Sequence, residues 1–189
     1  NSVDNITLIP VGPLTNIAKF ILKYPDLHHK IAQISLMGGG IDRGNITEFA
    51  EVNIYFDAEA AKVVFQSGIP LIMSPLDATH QGYITKNERE LIKNIENKKL
   101  SELMFSALDF YGNFYENVEK APGCVLHDSL AVTAVAYPEY LEFENMNIQI
   151  ITDGIESGRT KHSNQGNQCK VVTKMNRNEF IRLFFESLK

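Results

Sequence analysis

The sequence predicts an α/β fold in which an open, mostly parallel central sheet is flanked by helices. Two observations carry this prediction: short β-branched and aliphatic runs alternate with segments of helical periodicity, and Gly, Pro or polar loops separate them. Of the 189 residues, 44% are hydrophobic and 22% are charged, which is typical of a globular protein and not of a disordered one. We expect a single domain over residues 1–189, because a domain commonly holds about 100–200 residues.

The predicted strands are short apolar runs, at residues 6–10, 31–37, 69–74, 146–152 and 169–173. The predicted helices have apolar residues at helical spacing, at residues 15–22, 58–66, 86–97, 100–118, 129–137 and 177–188. The first strand is broken by Gly12 and Pro13, and the first helix ends before Pro25, because the residue before a proline disfavours helical geometry. Asp57 is predicted to N-cap the second helix and Gly68 to stop it.

Three polar loops follow predicted strands, at residues 11–16, 38–53 and 77–81. Ligands in folds of this class usually sit beyond the carboxyl ends of the strands, so we expect a site there. The stretch 154–168 is rich in Gly, Ser, Asn and Gln, and it is interpreted as a hairpin loop or a mobile flap.

Charge and cysteine content exclude several function classes. The net charge is −5 with no basic stripe, so nucleic acid is not an expected partner. No run of 18 apolar residues is present, which argues against a membrane-spanning helix. Cys124 and Cys169 form no C-x-x-C pair and therefore predict neither zinc nor redox chemistry. They are interpreted as free thiols, and the expected localisation is cytoplasmic.

The glycine cluster at 38–40 first suggests a phosphate cradle. A dinucleotide fingerprint must open directly into a helix, however, and here the chain continues as loop through Gly44. A tight turn from strand to loop is the favoured interpretation.

Asn45, Glu51 and Asn53 lie in the loop that precedes the Asp57 helix. An extended backbone would point Glu51 and Asn53 to the same face. Amides with one carboxylate suit a ligand that has several hydroxyls, such as a sugar, but ordinary loop capping explains the same residues.

His127 and Asp128 precede the predicted helix at 129–137. Asp128 is a good N-cap for that helix. An adjacent His and Asp also supply a proton donor and a metal ligand, so both interpretations stay open. Tyr111 and Tyr115 are four residues apart on a predicted helix and therefore share a face. That face either packs in the core or forms a substrate wall with available hydroxyls.

Six segments in order resemble the nucleoside N-ribohydrolase family, the inosine–uridine-preferring hydrolases. These segments are VGPLTNIA from Val11, MGGG from Met37, GNIT from Gly44, AEVNI with DAEA from Ala50, LDATH from Leu76 and LHDSLAV from Leu126. The resemblance implies the nucleoside hydrolase fold and hydrolysis of ribonucleosides to free base and ribose.

The resemblance also implies a role for each candidate site residue. Asn45, Glu51 and Asn53 would bind ribose hydroxyls. Asp128 would ligate Ca²⁺ and contact the sugar, and the backbone carbonyl of Val11 would be a second ligand. His127 would stand near the leaving base as a proton donor. Tyr111 and Tyr115 match aromatic positions that line the base pocket in purine-cleaving members.

One family feature is missing. The family begins with an aspartate cluster of the form D-x-D-x-x-x-D-D, which supplies most calcium ligands and the general base, and no D-x-D occurs in this sequence. We therefore expect an N-terminally incomplete fold, lacking its first strands and helices, that binds Ca²⁺ weakly and turns over little nucleoside by itself. An uncovered sheet edge would favour self-association into a homo-oligomer. The alternatives are a non-catalytic ribose- or nucleoside-binding module and an unrelated nucleotide-binding α/β domain.

Overall fold

The computed structural model describes residues 5–189, so residues 1–4, at the start of the predicted domain, lie outside the described part. The strands are β1 (Ile6–Leu8), β2 (Ile31–Met37), β3 (Leu71–Ser74), β4 (Tyr83–Ile84), β5 (Cys124–Val125), β6 (Leu141–Ile150), β7 (Thr160–His162) and β8 (Asn167–Met175). The helices are α1 (Thr15–Lys23), α2 (Val52–Tyr55), α3 (Ala58–Phe65), α4 (Leu76–Thr79), α5 (Lys86–Leu91), α6 (Lys98–Phe114), α7 (His127–Ala136) and α8 (Arg177–Glu186).

A six-stranded sheet with the order β1-β2-β3-β8-β6-β7 forms the centre of the fold. The pairs β1–β2, β2–β3 and β3–β8 are parallel, whereas β6 runs antiparallel to both β8 and β7. A separate two-stranded antiparallel sheet joins β4 to β5. This architecture confirms the predicted α/β fold with a mostly parallel sheet and flanking helices.

Helices cover both faces of the sheet. Alternate residues of β2, Ile34 and Leu36, are fully buried in a core that includes α1 and α3. Ser35 faces the other way, and its hydroxyl donates to the carbonyl oxygen of Ala131 on α7 at 2.7 Å. The period-2 alternation of a strand therefore sets which helix packs on which face.

The predicted N-cap of α3 is confirmed, because Oδ1 of Asp57 accepts a hydrogen bond from Ala60 N at 3.0 Å. The helix predicted at 86–97 is wrong in its second half, where α5 gives way to a 3₁₀ turn at Ile92–Asn94. The helix predicted at 100–118 changes at its end into a π-turn, Tyr115–Glu119. Short extra elements, α2, α4, β4 and β5, lie in stretches predicted to be loop.

The stretch 154–168 includes the loop and the second strand of an antiparallel hairpin between β6 and β7, which supports the hairpin interpretation. It contains β7 and the start of β8, and Thr160 within it is 1% exposed. β6 begins at Leu141, five residues before the predicted strand, because its residues 141–148 pair with β8, starting at Leu141 and Met175. Pairing with a long neighbour outweighs the weak strand propensity of Glu142 and Glu144.

Both cysteines are free, as the sequence predicted, and the structure shows that both are buried. Burial raises the pKa of the Cys124 thiol to about 11 and that of Cys169 to about 12. Across the described residues, no helix combines the length and the hydropathy that crossing a membrane requires.

Candidate functional site

A cavity of about 440 Å³ opens beyond the carboxyl ends of β1 and β2. The structure places all eight predicted site residues on its wall: Val11, Asn45, Glu51, Asn53, Tyr111, Tyr115, His127 and Asp128. Its volume lies within the range of about 300–1,000 Å³ that is usual for small-molecule sites. Met37, Val52 and Ser129 also line it, although none of the three was predicted as a site residue.

Glu51 is the most buried polar group of the cavity, at 1% exposed. Its Oε2 accepts from Gly39 N at 2.9 Å and from Ile54 N at 3.2 Å, and its Oε1 accepts from Asn53 N at 2.9 Å. Burial raises the pKa of this carboxyl, with the three N–H bonds opposing the rise and Asp128 adding to it. A carboxylate has about four acceptor positions, so about one stays open towards the cavity.

The glycine turn, residues 38–40, ends β2. Gly39 has a φ of 78°, and a Cβ there would lie 2.6 Å from Cε of Met73, so only glycine fits. Three successive N–H groups donate to side chains: Gly39 to Glu51, Gly40 to Thr160 and Ile41 to Asp77. A phosphate cradle offers such groups to its ligand. Here the three N–H groups already donate to protein side chains and are not available to a phosphate. This supports the interpretation as a tight turn and argues against a nucleotide-binding domain.

The two asparagines have one side-chain group committed to the protein. Oδ1 of Asn45 accepts from Val52 N at 2.9 Å, and Nδ2 of Asn53 donates to the carbonyl oxygen of Met37 at 3.2 Å. This leaves the amide NH₂ of Asn45 as donor and the Oδ1 of Asn53 as acceptor, with no further hydrogen-bond partner among residues 5–189. Donors and acceptors mixed in this way suit a diol.

Capping and ligand-facing roles coexist at Glu51. It is the N-cap of α2, as the capping interpretation required, and it lines the cavity as well. The extended backbone expected through Asn53 is wrong, because Asn53 lies in the first turn of α2. The helical turn nevertheless leaves both side chains on one cavity.

His127 is held through both ring nitrogens. Its Nδ1 lies 2.7 Å from Oγ1 of Thr79, and its Nε2 lies 2.7 Å from the hydroxyl oxygen of Tyr115. The Thr79 hydroxyl itself donates to the carbonyl oxygen of Leu76 at 3.3 Å. That donation assigns the proton of the neutral ring to Nδ1, so that the Tyr115 hydroxyl donates to Nε2.

Burial, the neighbouring His80 and the charge of Arg43 lower the pKa of His127 to about 3. The ring is therefore neutral near neutral pH. His80 packs beside it, with ring centroids 5.2 Å apart. The adjacent aromatic wall is formed by Tyr111 and Tyr115, whose ring centroids are 5.1 Å apart.

The aromatic face of α6 is only partly a core face. Tyr115 is 7% exposed, whereas Tyr111 is 46% exposed at the cavity. Phe110 and Phe114, which also belong to this helix, are exposed as well. Tyr111 therefore stands partly exposed on the cavity wall, whereas Tyr115 is buried and packs against His127.

The capping interpretation of Asp128 is wrong. α7 begins at His127, and Leu126 occupies the N-cap without a side-chain hydrogen bond. Asp128 stands in the first turn with its carboxylate on the cavity wall, where partial desolvation raises its pKa. A carboxylate in a helix's first turn is favoured by the backbone dipole.

Calcium does not fit the described residues by themselves. Asp128 and Val11, the two predicted ligand positions, both line the cavity, but Ca²⁺ takes about six to eight oxygen ligands. Nowhere in residues 5–189 do three acidic, histidine or cysteine side chains come together as a metal site. Glu51 adds no full ligand, since its two oxygens already bind three N–H groups.

Two supporting residues were not predicted. Thr79 orients His127 through its hydroxyl. Its position just after the third predicted strand is the sequence feature that could have pointed to it. Thr160 bonds both the N–H and the carbonyl of Gly40, at 2.9 and 2.7 Å, across 120 residues of sequence. Nothing in the polar stretch around it marks it out.

Comparison with known proteins relates this chain to one family. Residues 1–182 match the family model described as inosine–uridine preferring nucleoside hydrolase. The pyrimidine-specific ribonucleoside hydrolase RihA of Escherichia coli O7:K1 is 35% identical over 195 residues, covering 100% of this chain and 62% of that protein. RihA of Shewanella woodyi is 37% identical over 191 residues, covering 97% of this chain and 61% of that protein.

Solved structures of nucleoside hydrolases are also similar to this chain. A purine-preferring ribonucleoside hydrolase from Gardnerella vaginalis has a TM-score of 0.88 at 32% identity, covering 96% of this chain and 60% of its own. An inosine–uridine preferring nucleoside hydrolase from Bacillus anthracis has a TM-score of 0.84 at 23% identity, covering 98% and 60%, and shows a shared fold. The chain thus spans about three fifths of the length of these relatives.

Proposed function

We propose, from the premise that this chain belongs to the inosine–uridine preferring nucleoside hydrolase family, that its cavity serves hydrolysis of the N-glycosidic bond of ribonucleosides. The observation that supports this most directly is one cavity with hydrogen-bonding amides and carboxylates on one wall and aromatic rings on another. The first wall suits a sugar and the second a base. Small-molecule nucleosides are the proposed substrates.

The sugar side comprises Asn45, Glu51 and Asn53. We propose that the Asn45 amide donates to a ribose oxygen, while Glu51 and Asn53 accept from ribose hydroxyls. Each of these side chains is fixed by a bond to backbone, so the ribose would meet groups that need little reorganisation. Electron-rich oxygens near the ring stabilise the oxocarbenium-like transition state of glycoside cleavage.

The base side comprises Tyr111, Tyr115 and His127. In hydrolysis, water adds its oxygen to the anomeric carbon and the base leaves with one proton. Because the neutral His127 ring accepts the Tyr115 hydroxyl proton at Nε2, we propose that this pair holds and orients the departing base. The proton that the base gains is then balanced by the one that the attacking water loses. Asp128, which lines the same cavity, would contact the sugar.

The base preference is not decided by the relatives, since RihA is named pyrimidine-specific and the Gardnerella vaginalis enzyme purine-preferring. Tyr111, Tyr115 and His127 favour inosine and uridine over a strictly purine-specific site. A panel of inosine, adenosine, uridine and cytidine, assayed by ribose release, decides between these.

We further propose that the 189-residue chain alone binds Ca²⁺ weakly and hydrolyses nucleosides negligibly. Two available oxygen ligands support this, as does the missing D-x-D pattern. Calorimetric titration with Ca²⁺ and a ribose-release assay test it, and clear turnover by the purified chain would overturn it. Homo-oligomer formation and a cytoplasmic location stay predictions.

The alternative function is a non-catalytic nucleoside-binding module. The ribose-side groups of the described cavity support it, because they need no metal to form hydrogen bonds. Saturable nucleoside binding without ribose release, under conditions where an Asn45→Ala variant binds at least about fivefold more weakly, would favour the module. Release of ribose that an Asp128→Asn variant abolishes would favour the enzyme.

A further inference from the structure

A buried guanidinium lies behind the aromatic wall of the cavity. Arg89, on α5, is 1% exposed, and its Nη1 donates to Oε1 of Glu116 at 2.9 Å. Asp109 supplies a second carboxylate, with Oδ1 3.6 Å from Arg89 Nε. Both carboxylates belong to α6 or to the π-turn that extends it. The charge on α5 is therefore paired with the element that carries the two cavity tyrosines.

Gly112 lets Arg89 approach this closely. Asp109, Gly112 and Glu116 are spaced three and four apart, so they share one face of α6 and of the π-turn that extends it. A Cβ at Gly112 would lie 2.3 Å from Nη1 and 2.5 Å from Cζ of Arg89. The guanidinium thus rests directly on the helix backbone, and any side chain at position 112 would displace it.

Two neighbouring residues of the π-turn, Tyr115 and Glu116, bind different partners. Glu116 points to Arg89, while the Tyr115 hydroxyl lies 2.7 Å from Nε2 of His127. The turn closes at Lys120, whose φ of 55° is unusual for a residue with a side chain. π-turns within helices are rare and occur frequently at functional sites.

The contact between Arg89 and the π-turn depends on few bonds. Nε and Nη2 of Arg89 are buried without a hydrogen-bond partner in the described part of the chain. The bond from Nη1 to Glu116, the ion pair with Asp109 and the close contact with Gly112 therefore carry most of the specific geometry. Loss of Glu116 alone would free the π-turn to adopt another geometry.

We propose that Arg89 is a positioning residue which, by holding Glu116 over Gly112, sets the π-turn and keeps the Tyr115 hydroxyl on His127. The inference about base-side affinity rests on the proposed function, whereas the placement of Tyr115 does not. Arg89 touches no part of the cavity itself and acts through Tyr115.

The test uses the full chain with Glu116→Ala, Glu116→Gln and Arg89→Lys, and with Asn113→Ala as the matched control on an exposed position of the same helix. Circular dichroism establishes that each variant is folded. NMR then measures the cross-relaxation between the Tyr115 ring and the His127 ring, and titrations measure the affinities for inosine, uridine and ribose.

We expect Glu116→Ala to lose the contact between Tyr115 and His127 and to weaken nucleoside binding by about 5–10-fold, with ribose affinity unchanged within about twofold. Glu116→Gln keeps an acceptor and Arg89→Lys keeps a charge, so both should retain more of the contact. Asn113→Ala should behave as the parent.

An unchanged ring contact in Glu116→Ala would overturn the proposal, and so would an equal loss in Asn113→Ala. If Arg89→Lys fails to fold, the Glu116 variants decide alone. Absence of nucleoside binding in the parent would count against the proposed function, whereas the ring contact would still decide the positioning role.

Discussion

Replacing Glu51 by glutamine tests whether this carboxylate, which we propose to bind ribose, also stabilises the fold. Glutamine keeps one oxygen, which at the Oε2 position retains the bonds from Gly39 and Ile54. Its NH₂ group then faces the N–H of Asn53, so one buried donor loses its acceptor. Leaving such a donor unsatisfied costs about 1–3 kcal/mol. For a chain of this length, that lowers Tm by about 2–12 °C.

The pH dependence of this effect has a definite sign. Burial raises the pKa of Glu51 above its ordinary value of 4.5 in the folded state. A group with a raised pKa contributes its full stability below the unfolded value and loses it as pH rises through the folded value. The amide that replaces the carboxyl in the Glu51→Gln variant does not titrate. The destabilisation caused by this substitution is therefore expected to be larger at pH 5 than at pH 8.

Urea unfolding at pH 5, 6.5 and 8, with thermal melts alongside, measures the effect. Glu48→Gln is the control, because it makes the same charge change at an exposed position of the same loop and is expected to stay within about 0.5 kcal/mol of the parent. A Glu51→Gln variant that equals the control at pH 8, or a destabilisation that grows with pH, would refute the account of Glu51 as a three-bond acceptor.

Three further predictions concern the glycine turn and the thiols. Gly39→Ala would place its Cβ against Met73 with an unfavourable positive φ, and we expect a loss of about 2–4 kcal/mol by urea unfolding; a neutral result contradicts the turn geometry. Thr160→Val removes both bonds to the glycine turn at nearly constant volume, for an expected loss of about 2 kcal/mol by the same method, and parental stability would refute it. With thiol pKa values of about 11 and 12 and both groups buried, Cys124 and Cys169 should react with a disulfide reagent at pH 8 at least about 100-fold more slowly than in urea, and comparable rates would show that they are accessible.

The features that depend on local pattern could be predicted from the sequence. The strands β1, β2, β3 and β8 are recognisable as apolar runs, and Asp57 caps α3 because capping is decided within three residues. The eight cavity residues lie in short segments, most of which follow strands, and the parallel sheet brings such segments to one edge.

Other features depend on partners far away in sequence and could not be predicted. Thr160 is buried only because the hairpin that carries it packs on Gly40. β6 is long because β8 pairs with it, despite its glutamates. The start of α7 at His127 makes Asp128 a first-turn residue instead of a cap, a shift of two positions that capping statistics alone do not settle.

The two walls of the cavity are anchored in different ways, and this has an evolutionary consequence. Glu51 is tied to the backbone at three points next to the central sheet, so almost any change there damages folding. Tyr111 is half exposed on α6, and Arg89 contacts the other side of that helix. Replacing Tyr111 should therefore reduce the stability of the fold little. We expect mutational drift to be asymmetric: the wall that carries Glu51 resists substitution, whereas the wall that carries Tyr111 is free to diversify. Under the proposed function, this would let the scaffold accept new bases without a change of sugar.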